Sequence, residues 1–345
     1  MATLSEVAQL AGVTTATVSN VLRNPDKVKP STAKRVKAAI AATGYRPNLM
    51  ARALSEGKSS MVAIVLPNII NPYYPEFVRT AERVARQRKY FLMVCNTDEQ
   101  VEIGRAYIKQ ISGTLADGVL VLHTGISTPE ILELRGGRRS PIVLASEETV
   151  EFPDSIPHVV VNFRKAGQVA GQHLLELGHR RIGVIVGQGC DGAQLLRLEG
   201  FKDALGDAGM ALDEHDVVYM IDSVAGGHEA ALSLMKGDPS ITAIFATNDL
   251  LAYGATQALA DQGVRVPEDV SIVGITDIQL AQEMRPPLTT VALNIAEVAK
   301  TSINLLLDMI ENPDCQPTLV RVPDPQLVVR ASTSRVRRKK LLRSA

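Results

Sequence analysis

The chain has 345 residues, 37 Lys plus Arg against 37 Asp plus Glu, and a formal net charge of zero at pH 7. That balance argues against a uniformly basic nucleic-acid binder and against an acidic disordered protein. The hydrophobic fraction of 46% supports a large core and two or three domains, yet no run reaches the roughly 18 apolar residues of a membrane span.

The zero hides an uneven distribution. Residues 1–60 hold nine basic side chains against three acids, a net of +6. The last eleven residues add six basic groups and no acid, so the 274 residues between carry 22 basic and 34 acidic groups, a net of −12. The opening Met-Ala-Thr-Leu-Ser-Glu lacks the basic and apolar parts of a signal peptide, which predicts a cytoplasmic protein. Cys95, Cys190 and Cys315 are far apart and odd in number, suiting neither a disulfide framework nor a zinc cluster.

From the N-terminus, Thr3-Leu-Ser-Glu6 reads as a capping box, followed by Leu4, Val7, Ala8 and Ala11 at helical spacing and Gly12 as a stop. Thr14 caps a second helix whose apolar face is Val18, Val21 and Leu22, and Ala8 is small where the two must cross. Ser31 starts a third helix with Val36 and Ile40 inward and Lys34, Arg35 and Lys37 toward solvent. Such a helix-turn-helix unit binds DNA by placing the start of its second helix in the major groove while basic groups hold phosphates. Gly44-Tyr-Arg-Pro-Asn48 then leads into Leu49 to Glu56, with Gly57 placed to end a short helix. Eight residues are too few for an isolated helix, so this one is expected to form only when a partner stabilises it.

From Met61, apolar runs alternate with longer amphipathic segments. Expected strands are 62–66, 90–95, 118–122, 142–145, 159–161, 182–186, 217–221, 243–246 and 271–275. Expected helices include 75–89, 102–112, 165–177, 195–208 and 250–262. Short, continuously apolar strands joined by helices indicate parallel sheets covered on both faces, here split between two sheets. Ligands of such folds sit beyond the carboxyl ends of the strands. Those positions hold Asn71-Pro-Tyr-Tyr74, Ser146, Asp191, Asp222, Asn248-Asp249 and Thr276-Asp277, with Arg197 early in a following helix. Aromatic rings, one Arg and several acids converging on a crevice suit a polyol or sugar-like ligand.

Gly187-Gln-Gly-Cys-Asp-Gly192 is literally G-x-G-x-x-G after a strand, and Asp222 follows the next strand, so a dinucleotide-binding enzyme is an alternative. The 33-residue step from Gly189 to Asp222 exceeds the usual interval of about 20, and the unit lies mid-chain. The six His residues show no metal spacing and no G-x-S-x-G elbow is present, so no catalytic residue, metal or cofactor is expected. A transporter's sugar receptor, the other alternative, has no use for residues 1–60.

Taken together, Thr3-Leu-Ser-Glu-Val-Ala, Gly12-Val-Thr-Thr-Ala-Thr-Val-Ser-Asn20-Val and Gly44-Tyr-Arg-Pro-Asn48 closely resemble the DNA-binding head of the lactose-repressor (LacI/GalR) family. The body resembles it in Asn71-Pro-Tyr-Tyr, Leu177-Gly-His-Arg-Arg-Ile-Gly, Arg197-Leu-Glu-Gly-Phe201, Thr247-Asn-Asp249, Val266-Pro-Glu-Asp-Val-Ser-Ile-Val-Gly274 and Pro287-Leu-Thr-Thr290. The resemblance spans about residues 2–333. It implies an all-α helix-turn-helix head plus hinge helix, joined to an α/β periplasmic-binding-protein-like body of two parallel-sheet subdomains. The implied divisions are 1–47 for the DNA-binding domain, 48–60 for the hinge, 61–333 for effector binding and dimerisation, and 334–345 for the basic tail. Within the body, an N-subdomain covers about 61–161 and 293–320 and a C-subdomain about 162–292 and 321–333.

The implied function is that of a non-enzymatic transcription regulator, a repressor whose affinity for double-stranded operator DNA is set by a small-molecule effector. Matching positions make Thr14, Thr15, Ala16, Thr17, Asn20, Lys29, Asn48, Arg52 and Leu54 the DNA-binding set. Of these, Thr15, Ala16 and Asn20 would read bases, and Leu54 would wedge into the minor groove and bend the duplex. Tyr73, Tyr74, Ser146, Asp191, Arg197, Asp222, Asn248 and Thr276 would surround the effector. Many members carry Asp where this chain has Ser146 and Thr276; losing two carboxylates while Arg197 remains favours a sugar acid or other small organic acid over a neutral sugar. The tail is too short and too basic for several leucine heptads, so a homodimer is expected.

Overall fold

A computed structural model describes residues 2–46, 57–135, 140–147, 156–188, 192–316 and 318–336. The expected hinge helix with Asn48, Arg52 and Leu54, the site residue Asp191 and the tail beyond Val336 lie outside the described residues, and Ser146 is described by its strand backbone alone. The chain divides into two compact units, Met1–Ser59 and Ser60–Ala345.

The first unit is helical. Helix α1 (Leu4–Ala11) opens on the capping box: the Glu6 amide donates to Thr3 Oγ1 at 3.3 Å and the Thr3 amide to Glu6 Oε2 at 3.0 Å. Gly12 closes it at φ 64°, a conformation glycine adopts without a Cβ clash, which frees the chain to turn into α2 (Thr15–Arg23). Helix α3 spans Pro30–Thr43. Val7, Ala8, Ala11, Val18, Val21, Val36 and Ala39 form its small core. Two sequence expectations change here. Leu22 is 39% exposed instead of inward, because Val18 and Val21 already fill the contact with α1 and α3. The third helix starts at Pro30, whose missing N–H costs nothing in a first turn, and Lys29 at the cap makes no side-chain capping bond.

The second unit contains two six-stranded sheets. In the first, β1 (Met61–Leu66), β2 (Phe91–Asn96), β3 (Gly118–Leu122), β4 (Ile142–Glu147), β5 (His158–Val161) and β11 (Leu319–Arg321) lie in the order β11-β5-β4-β3-β1-β2, all parallel. In the second, β6 (Ile182–Gln188), β7 (Val217–Ile221), β8 (Ala243–Ala246), β9 (Ser271–Thr276), β10 (Thr289–Ala292) and β12 (Gln326–Val328) lie in the order β12-β10-β9-β8-β6-β7. Only β12 runs antiparallel among the described strands, against β10. Completely buried runs such as Val62–Leu66, Gly118–Leu122 and Ala243–Ala246 explain the pattern, since parallel strands are covered on both faces.

Helices α4 (Tyr73–Gln87) and α12 (Ile295–Glu311) pack together against the first sheet, separately from α5 (Val101–Ile111) and α6 (Thr128–Arg135). The second carries the pairs α7 (Phe163–Glu176) with α8 (Ala193–Asp207) and α9 (Val224–Gly237) with α10 (Asp249–Asp261), and a short α11 (Gln279–Glu283). Strands β10, β11 and β12 are absent from the sequence reading because β10 opens on two threonines, which break the apolar run, and β11 and β12 have three residues each and are half-exposed. They matter for topology: the chain passes from the first sheet to the second after β5, returns after β10 and passes again between β11 and β12. No described helix is long and apolar enough to cross a membrane.

Candidate functional site

In the helical unit, Thr14, Thr15, Ala16, Asn20 and Lys29 are all exposed. Thr14 caps α2 by accepting from the Thr17 amide at 3.2 Å, and the two threonine hydroxyls lie 3.0 Å apart. Thr17 is half-buried, so part of its bonding capacity goes to the cap. The positive end of α2 therefore carries a rim of short polar side chains, a suitable shape and charge for the edge of a nucleic-acid groove.

In the larger unit, the carboxyl ends of β1, β2 and β3 face those of β6 to β9 across a cleft of about 560 Å³, part of it open to solvent. Tyr73, Tyr74, Arg197, Asp222, Asn248 and Thr276 all line it. The first-sheet side is aromatic. Tyr73 and Tyr74 meet edge to face at 5.1 Å between centroids, and both approach His123, at 6.2 and 6.5 Å. His123 continues to Phe163 at 5.5 Å.

The second-sheet side is a polar network. Arg197 is buried, donates from Nη1 to the Thr247 carbonyl at 2.7 Å and lies 4.8 Å over the Phe163 ring. Asn248 caps α10 by accepting from the Leu251 amide at 3.0 Å, and its own amide donates to Asp222 Oδ1 at 2.7 Å. Asp222 also accepts from Asn71 Nδ2 at 3.2 Å, a bond that spans the cleft, as does that from the Gln279 amide to Glu76 Oε1 at 2.7 Å. Walled in by both sides, the Asp222 carboxyl is pushed up to about 6 by loss of water, against the pull of Asn248 and Arg197; the Glu99 charge adds to the rise.

Asp249 does not line the cleft; fully buried, it supports it. Its Oδ2 accepts from the Ile278 amide at 3.0 Å and its Oδ1 from the Thr290 hydroxyl, and burial pushes its carboxyl up to about 6. This anchor holds the turn in which Thr276 and Asp277 have φ of 133° and 58°, and Arg330 Nη2 donates to Asp277 at 2.6 Å from behind.

Gly187, which opens the glycine motif, packs against side chains of the cleft; Gly189 to Asp191 lie outside the described residues. The Gly187 amide donates to Thr247 Oγ1 at 3.0 Å, and a Cβ there would come within 3.2 Å of Gln194 and 3.3 Å of Asn248. Asp222 is likewise committed to amides of the cleft. The dinucleotide reading is thus not supported. Sequence reasoning missed Asn68, Glu99, His123, Phe163 and Gln194. Strand-end inspection could have found four of these, since His123 directly follows β3, Asn68 and Phe163 lie two residues after β1 and β5, and Glu99 lies three residues after β2.

Two family descriptions match: bacterial regulatory proteins of the lacI family over residues 3–48, and a periplasmic binding protein-like domain over residues 171–333. The chain is 33% identical over 335 residues to the HTH-type transcriptional regulator DegA of Bacillus subtilis (strain 168), covering 96% of this chain and 98% of the relative. A solved complex of the transcriptional regulator CelR with cellobiose is 31% identical with a TM-score of 0.70, covering 96% of this chain and all of that one. The Lac repressor dimer bound to operator, 23% identical over 96% of this chain and 99% of that one, shares the fold at a TM-score of 0.82. The chain belongs to the LacI family and is a DNA-binding transcription regulator.

Proposed function

We propose that the chain is a homodimeric repressor in the cytoplasm whose operator affinity is set by a hydroxyl-bearing effector, a sugar, sugar acid or other small organic acid, held in the cleft. The observation that carries the reading is the pairing, on one chain, of an exposed polar start to a capped α2 with a two-sided cleft that joins Arg197, Asp222 and Asn248 to aromatic rings. It acts by binding, not catalysis. Tyr73, Tyr74, Arg197, Asp222, Asn248 and Thr276 hold the effector, together with Ser146 and Asp191. Closing the two halves around it shifts the spacing of the paired heads, which decides whether the hinge helices form on DNA; the effector must favour one state for this coupling to exist.

Thr15, Ala16 and Asn20 read bases, Ala16 by apolar contact, while Thr14, Thr17, Lys29, Asn48 and Arg52 position the backbone and Leu54 wedges the minor groove. Apolar side chains exposed on the two edge strands, Phe91 and Val94 in β2 and Tyr219 and Ile221 in β7, support burial against a second copy. Binding to an operator selected from random DNA tests the head. Leu54→Ala is expected to weaken the selected site about tenfold or more while leaving random DNA within about twofold. Equal losses on both would remove the wedge.

A further inference from the structure

Glu99 sits where the backbone is unusual. Asp98 and Glu99 are consecutive non-glycine residues at φ of 50° and 61°, a conformation that L side chains rarely adopt and that persists only where surrounding bonds enforce it. Those bonds are present. The Thr97 amide donates to the Leu66 carbonyl at 3.0 Å, the Glu99 amide to the Pro67 carbonyl at 2.9 Å and the Gln100 amide to the Thr97 carbonyl at 3.0 Å, while Asn96 Nδ2 holds Asp98 at 2.5 Å. The result turns the Glu99 side chain into the cleft, where Asn68 Nδ2 donates to Oε1 at 3.2 Å. Oε2 and the remaining lone pairs stay open to a ligand. Glu99 belongs to the first-sheet side and accepts from one side-chain amide, that of Asn68, whereas Asp222 belongs to the second and accepts from three, those of Asn71, Asn248 and, at 3.5 Å, Gln194. Among the described residues, Arg197, His123, Tyr73 and Tyr74 are the other titratable side chains that line the cleft.

Two carboxylates brought into one water-poor cleft from opposite halves repel each other unless something between them donates hydrogen bonds to both. We infer that Glu99 is a specificity-determining residue of the cleft, paired with Asp222 so that closure requires a ligand with at least two hydroxyl or amino donors and excludes acids that lack them. This rests on the effector-cleft reading and narrows it: sugars and sugar acids satisfy the pair, whereas a hydroxyl-free dicarboxylate adds a third negative charge.

The test is thermal unfolding of the full chain with cellobiose, ribose, glucitol and gluconate as hydroxylated probes and succinate and glutarate as hydroxyl-free acids. At least one hydroxylated probe is expected to raise Tm by roughly 3 °C at saturating concentration, with no shift from either acid. Glu99→Gln should keep the ligand-free Tm within about 1 °C and lose at least half of the ligand shift. Calorimetry of the stabilising probe at pH 6.5 in two buffers of different ionisation enthalpy should show proton release in the native chain and less in Glu99→Gln, because ligand donors favour the ionised form of Asp222, whose proton the Glu99 charge helps to hold. An equal or larger shift with succinate or glutarate overturns the inference, as does no shift with any hydroxylated probe, or a Glu99→Gln shift and proton count equal to the native ones. If the shift persists unchanged in Arg197→Ala, the effector-cleft reading falls with it; if Arg197→Ala abolishes it and Glu99→Gln does not, only the Glu99 pairing falls.

Discussion

The two sides of the cleft are built from different materials. The first-sheet side presents rings, Tyr73, Tyr74 and His123, in edge-to-face contact. The second-sheet side presents Arg197, Asp222 and Asn248, each tied into the strand ends and helix starts behind it. Rings gain mainly by area and tolerate small displacements, while a charge-assisted hydrogen bond needs its donor and acceptor in register. The second side is therefore a fixed frame that orients a polar ligand, and the first is largely a wall of rings that covers it, with Asn68, Asn71 and Glu99 as its polar members. Four substitutions test this contrast, and a fifth tests the helical unit.

The largest effect is expected where the frame itself is held. A Cβ at Gly200 would lie 1.8 Å from the Arg164 carbonyl, and one at Gly167 1.8 Å from the Arg197 carbonyl, so α7 and α8 touch backbone to backbone. Gly200→Ala must push α8, and Arg197 with it, away from Phe163. Chemical denaturation should show a loss of about 3 kcal/mol; a loss under about 0.5 kcal/mol would mean that the helices part freely and the frame is not rigid.

Removing the frame's charge comes next. Arg197→Ala should weaken effector binding about 100-fold, and Tyr74→Ala, on the ring side, only about tenfold. Calorimetry that reverses this order would contradict the division of labour.

A pH measurement addresses Asp222. Its folded carboxyl titrates near 6, above the ordinary 3.8, so the folded state holds its proton more tightly than the unfolded state. The sign follows: burying the charge costs stability above about pH 6, and that cost is relieved as pH falls toward 4. The buried His158, His173 and His179 act oppositely, since burial lowers their pKa and acid destabilises them. Comparing the native chain with Asp222→Asn cancels the histidines. The variant's relative stability should increase by about 2 kcal/mol from pH 4 to pH 7, and a flat difference would mean that the cleft does not desolvate Asp222.

The smallest effect lies in the helical unit. Thr14→Ala removes the cap of α2 and should cost about 1 kcal/mol, seen as roughly fivefold faster hydrogen exchange of the α2 amides in the full chain. Unchanged exchange would show that the neighbouring helices alone fix α2.

How much of this was legible in the sequence follows from the range of the interactions. The head's helices follow from local signals: the Thr3–Glu6 box, the Gly12 stop and the Thr14 cap each act within four residues. Nine strands were legible because each is a continuous apolar word, which for the inner strands reflects cover on both faces and for the edge strands β2 and β7 includes side chains left exposed. Glu99 and His123 stand just past strand ends, but that they face one cleft depends on which strand ends converge, and Gln194, inside a helix, carries no local signal. Asp249 shows the converse: it looked like a ligand position beside Asn248, yet the fold turns it inward to Thr290 and the Ile278 amide. Glu99 also changes the charge balance expected from Ser146 and Thr276, returning a carboxylate to a cleft that otherwise looked depleted of them.

Occupancy of this cleft is proposed to control DNA binding. This control is tested most directly by fluorescence anisotropy of a selected operator, titrated with the native chain and with Arg197→Ala, each with and without a probe that stabilises the native protein. The probe should change the native operator Kd at least about fivefold, in either direction, and leave that of Arg197→Ala within experimental error. An equal change in both proteins, or none in the native chain at saturating probe, would contradict it.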